Sequence, residues 1–327
     1  MSENSISSQN SPHHVLDFLV DDSDSCALTV HTEDNVRMHI IVDSDKLRES
    51  FKSGESKTYD EFAKLVAAFR KNDEGRESGS GHDSGVDVPE KDAGLEKGDD
   101  GSSEDAEDAL QSWILGPVRR QAKKKAQPTL IAWYDAETHF YELEISKKDE
   151  LAAVELEASS ELKRRMAKLK PEITLPKYIT QMKVPWFDPA RLRVLAASAS
   201  PPPYHPTEVR CESTGKKYFF KAVDSSAPQS TKRELWHLSR IAKPDLADRI
   251  RAPRIEGLVS TGNSKTHAIG FLQSDIPNPK PLTAKFDAKV PQEKRDAWAA
   301  EAEQVKNILH EHGVVWGDAK VRRVPWS

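Results

Sequence analysis

The chain has 327 residues, 31% of them charged and 37% hydrophobic, with a net charge of −5. That length suits roughly two domains of about 150 residues each, and the polarity excludes one uniformly packed core, so part of the chain is expected to stay unfolded. The charge gives no overall drive toward nucleic acid, two cysteines (Cys26 and Cys211) exclude a disulfide framework, and no apolar run approaches the roughly 20 residues of a bilayer span.

Residues 1–14 read as a polar, disordered tail. They carry neither the basic n-region nor the apolar h-region of a secretory signal. With the cysteine usage, this points to an intracellular protein of cytosol or nucleus. A small α+β segment is expected over 15–71. CALTVH (26–31) and NVRMHIIV (35–42) form a hairpin about the turn TEDN. A helix follows over 44–52. Another spans 58–71, with Phe62, Leu65, Val66 and Phe69 on one face. Residues 72–109 then hold 7 of the 15 glycines and 14 Asp or Glu against 3 Lys or Arg. Such a segment buries too little apolar surface to offset chain entropy and reads as a disordered acidic linker.

Residues 110–185 read as a continuation of the N-terminal region. EDALQSWILG forms a short helix, and VRRQAKKK a basic loop without interleaved aromatics to stack bases. TLIAWY and HFYELEI form a second hairpin, 148–169 a charged helix, and the prolines 171, 176, 185 and 189 an extended connection. From 186 onward the pattern is strand-rich. RLRVLAAS (191–198), TEVRCES (207–213) and KKYFFKAV (216–223) are strands, the last two joined at Thr214-Gly215. Residues 228–242 form a helix. RIEGLVS (254–260) and THAIGFL (266–272) are strands, and 291–312 is a long helix with Gly313 as its C-terminal cap.

That order of strand, strand, strand, helix, strand, strand, connector, helix, followed by HEHGVVWGDAK, resembles a protein kinase-like fold over about 186–327. It is most similar to fungal protein kinase-like proteins. The expected class is α+β: a small lobe of antiparallel sheet plus one helix, then the first helix of the large lobe. The resemblance implies that Lys221 meets the α- and β-phosphates of ATP and pairs with Glu234. Thr231 to Glu234 also fits a capping box, in which Glu234 would only satisfy a backbone N–H. Phe271, Leu272 and Gln273 would form the hinge facing the adenine. Val194 and Ala222 would roof it. Asp318 would orient the substrate hydroxyl, and Lys320 would neutralise the transferred phosphoryl.

Other parts of the pattern depart. SPPPYHP stands where a glycine-rich loop belongs. Arg323 stands where the magnesium-binding asparagine belongs, and no Asp-Phe-Gly follows. No metal ligand is therefore assigned, although full-length relatives would use magnesium. This chain reads as truncated in the catalytic loop and inactive in transfer. The string VRRVPWS after Lys320 reads as a retained intron or gene-model error. Relatives would pass the γ-phosphoryl of ATP to a protein Ser or Thr hydroxyl. A small-molecule phosphotransferase is the sister reading, since Gly-Asp-x-Lys suits that branch. A non-catalytic scaffold binding a protein partner through the N-terminal region is the alternative from another class.

Overall fold

Cys26, Leu28 and Val30 fall at every second position, and so do Met38, Ile40 and Val42. A period of two puts each set on one face of a strand. The computed structural model describes residues 13–50, 56–77, 102–118, 126–198, 205–250, 252–262, 264–276, 280–281, 290–315 and 325–326. It divides the chain into two compact units, 1–126 with 136–164 and 199–204, and 127–135 with 165–198 and 205–327. Both mix helices and sheets, so the class is α+β. Among the described residues no helix is long and apolar enough to cross a membrane.

The first unit is a five-stranded sheet in the order β1 (His13–Val20), β2 (Cys26–Thr32), β3 (Val36–Val42), β4 (Glu137–Ile145), β5 (Leu151–Glu155). Neighbours are antiparallel except β3 and β4, which run parallel. A parallel pair needs a crossover. It is supplied by α1 (Ser44–Glu49), α2 (Lys57–Glu77) and α3 (Ser102–Leu115). Leu28, Val30, Ile40 and Leu143 of the sheet pack with Leu47, Phe62, Val66, Leu110 and Ile114 of the helices. Phe62 and Trp113 bring their rings to 5.2 Å. The turn after β2 is set by Asn35, whose φ of 59° is one that asparagine tolerates. Asp149, in the turn between β4 and β5, accepts from the Ser56 hydroxyl and from the Lys57 amide at 2.9 Å, so it caps α2 from a distant part of the chain. The Ser56 hydroxyl, first among these donors, holds the Asp149 carboxyl below its ordinary range.

The other face of this sheet carries Thr29, His31, Arg37 and His39, all buried. Thr29 Oγ1 and His39 Nδ1 share a hydrogen bond of 2.8 Å. Burial pushes His31 down to about 4, and the nearby Arg37 charge adds to it.

Four expectations change here. His13 and His14 begin β1 rather than ending a tail. Helices α2 and α3 reach into the stretch read as a linker, whose middle, 78–101, lies outside the described residues. TLIAWY is a helix, α4 (Leu130–Tyr134), because Thr129 accepts from the Ala132 amide as its N-cap. A short apolar run does not by itself distinguish strand from helix. The helix expected over 148–169 is β5 followed by α5 (Ser160–Ala167), because the turn at Asp149, with φ of 58°, sends Leu151–Glu155 back along β4. The basic run at 119–125 lies outside the described residues.

The second unit holds a six-stranded sheet. The minor strand β6 (Ile173–Thr174) and helix α6 (Lys177–Thr180) come before it in the chain. The sheet strands are β7 (Trp186–Phe187), β8 (Leu192–Ser198), β9 (His205–Cys211), β10 (Lys217–Ala222), β11 (Ile255–Val259) and β13 (Gly270–Ser274). Their order is β7-β11-β13-β10-β9-β8. Only β7 and β11 are parallel. β12 (His267–Ala268) pairs with β6, and β14 (Lys280–Pro281) with β15 (Pro325–Trp326). Helices α7 (Pro228–Ile241) and α8 (Pro244–Ala247) connect β10 to β11.

The long helix α9 (Gln292–Glu311) ends in a Schellman motif. The Gly313 amide donates to His310 and the Val314 amide to Leu309, with φ of 69° at Gly313. Its apolar end does not lack partners. Ile308, Leu309 and Val314 cluster with Leu246 and Ile250 within this unit.

Two consequences are measurable. Phe62→Ala should remove about 3–5 kcal/mol of stability in urea unfolding, because the ring is 1% exposed. Acidification should also destabilise the protein. His31 must take up a proton on unfolding, so its contribution is complete above about pH 6.5 and is lost as pH falls toward about 4, to a limit of about 3 kcal/mol. Urea midpoints measured across that window should fall less steeply for His31→Gln.

Candidate functional site

Strand β10 lies between β13 and β9, and its Lys221 pairs with Phe271 of β13. Helix α7 follows at once. Its entry is fixed by Asp224, whose carboxylate accepts from the Ser226 and Ala227 amides and from the Ser226 hydroxyl. The Ser226 hydroxyl leads in holding that carboxyl below its ordinary range. Pro228 then occupies the first helical position, where its missing N–H costs nothing. Buried Thr231 accepts from the Asp224 amide at 3.0 Å, tying the helix to the end of the strand. Leu235 and Leu238 enter a core with Val223, Leu258 and Phe271.

This settles the role of Glu234. The helix starts at Pro228, so Glu234 lies in its middle and Thr231 is not its cap. The capping-box alternative fails for that reason. Both Glu234 carboxylate oxygens instead accept from Lys221 Nζ, each at 2.6 Å. The side chains are 41% and 32% exposed, so the pair is partly screened by water and modest in energy. Two of the three ammonium protons are engaged. Among the described residues nothing else takes the third, which can meet an oxygen of a ligand.

Register decides which other residues share this face. Lys221 lies opposite Phe271, which lies opposite Leu258. Two residues away, Phe219 lies opposite Gln273 and Glu208. Phe271 and Gln273 therefore share the Lys221 face. Ala222 and Leu272 fall on the other face by alternation. Val194 pairs with Val209, which pairs with Tyr218, three residues from Lys221, and so belongs to the other face too. A ligand held by Lys221 is not roofed by Ala222 or Val194, and that expectation is corrected. The hinge assignment changes as well. Phe271, Leu272 and Gln273 are interior residues of a central strand, paired on both sides. Their backbone groups are spent on the ladder rather than free to meet a base. Asp318, Lys320 and Arg323 lie outside the described residues.

Two residues of this face were missed from sequence. Phe219 is 37% exposed, large for an aromatic beside a charged pair, and Glu208 stands across from it. Counting in twos from Lys221 would have found Phe219. Gly270 matters for another reason. A Cβ there would lie 2.3 Å from the Phe220 ring and 2.6 Å from the Lys221 carbonyl oxygen. The bare backbone lets β13 and β10 close with Phe220 packed across them. A cavity of about 360 Å3 lies elsewhere, along α6 and α7, lined by Tyr178, Gln229, Lys232, Arg233 and Trp236.

No protein-family model matches this chain, and no curated protein matches it significantly.

Gly270→Ala should cost about 1–3 kcal/mol by overpacking. A urea titration read by tryptophan fluorescence checks this.

Proposed function

We propose that residues 186–327 form a protein kinase-like lobe that binds ATP through Lys221. The observation that carries the reading is the bidentate Lys221–Glu234 pair, joining strand β10 to the helix that follows it. In kinases a strand lysine held by a helix glutamate positions the α- and β-phosphates. The chemistry of the donor set fits a phosphate. A half-exposed ammonium keeps one proton for an incoming oxygen, and Glu234 fixes its position beforehand. The base would lie along Phe219 and Gln273, the residues that share the face, rather than beneath Val194 or Ala222.

The element order supports the same reading. Three antiparallel strands (β8, β9, β10), helix α7, two further strands (β11, β13) and helix α9 follow one another as the resemblance implies. In kinases the bound nucleotide, with magnesium, supplies the γ-phosphoryl for transfer to a hydroxyl. The proposal for this chain is confined to binding.

Thermal unfolding with and without ATP tests it. A ligand at about 100 times its Kd stabilises by about 2.7 kcal/mol. The midpoint should rise with millimolar ATP in the native chain and stay unchanged in Lys221→Ala, while Glu234→Gln should give a smaller rise. An equal rise in Lys221→Ala, or none in the native chain, would defeat the proposal.

A further inference from the structure

The outer side of α7 carries a second feature that the Lys221 pair does not use. Gln229, Lys232, Arg233 and Trp236 recur at i, i+3, i+4 and i+7, which makes one stripe along the helix. Tyr178 of α6 stands beside that stripe, 54% exposed, and the five side chains line an open groove of about 360 Å3. Arg240 lies over the Trp236 ring at 5.2 Å and donates to the His312 carbonyl, so the indole is held in place.

The charge of this groove is one-sided. Among the described residues no carboxylate lies within ion-pairing distance of Lys232 or Arg233. The nearest acids in sequence are already committed, Glu234 to Lys221 and Asp224 to the turn before the helix. Two cations with no ion-pair partner among the described residues, lining one groove with Tyr178 and Trp236, favour a ligand that brings carboxylates and an apolar side chain together. Arg and aromatic residues are also the types that carry binding energy at protein contacts.

We propose that this groove docks an acidic peptide segment of a partner protein, with carboxylates on Lys232 and Arg233 and one apolar side chain between Tyr178 and Trp236. A nucleic acid is disfavoured by the shortness of the cationic stretch and by the net charge of −5. The site is distinct from Lys221, and the proposal does not depend on ATP binding.

Fluorescence anisotropy on the full chain tests it. The probes are a short fluorescein-labelled peptide of glutamates around one tryptophan, the same peptide with lysines for glutamates, and a labelled oligothymidine. The native chain should bind the glutamate peptide and bind it less well as salt rises. Lys232→Gln with Arg233→Gln should weaken binding by at least about tenfold. Tyr178→Ala, an exposed position, should weaken it without lowering the unfolding midpoint. The proposal is overturned if the native chain does not bind the glutamate peptide. It is equally overturned by stronger binding of the lysine peptide or oligothymidine, or by unaltered binding in the folded double variant.

Discussion

Helix α7 can lie against its sheet in one way, and much of the second unit follows from that. Leu235 and Leu238 must reach the core with Phe271 and Leu258, which fixes the rotation of the helix about its axis. A residue one step before Leu235 then points along the sheet edge of the contact, where Glu234 finds Lys221. Lys232, on the opposite flank of the helix from Glu234, lines the groove instead. Hydrophobic burial supplies the energy of this arrangement. The ion pair and the groove take their geometry from it.

Much of this was legible in the sequence. Runs of branched and aromatic residues located β2, β3, β8, β9 and β10, and helical spacing located α2, α7 and α9, because the apolar side chains of each recur at the period of the element. Gly313 was recognisable as a cap because a chain leaving a helix needs a left-handed residue there. The Lys221–Glu234 pair was also expected, on the strength of the element order around it.

The misreadings have physical causes. Thr129 decided that TLIAWY would be a helix, and a capping hydroxyl carries little weight beside four apolar residues. Asp149 decided that the following segment would turn back as a strand, and its positive φ is invisible in composition. Ala222 and Val194 look like neighbours of Lys221 along the chain. The pleat nevertheless places them on the opposite face, and only the register between strands shows this for Val194.

Asp149 also ties distant parts of the first unit together in time. Its carboxylate closes the first turn of α2 from 92 residues away. The start of that helix therefore lacks its final partner until the β4–β5 turn has formed and a long loop has closed. Closing such a loop costs entropy before any contact repays it. A unit built this way assembles as a whole rather than helix by helix, with a folding rate governed by non-local pairing more than by the helical tendency of residues 57–77.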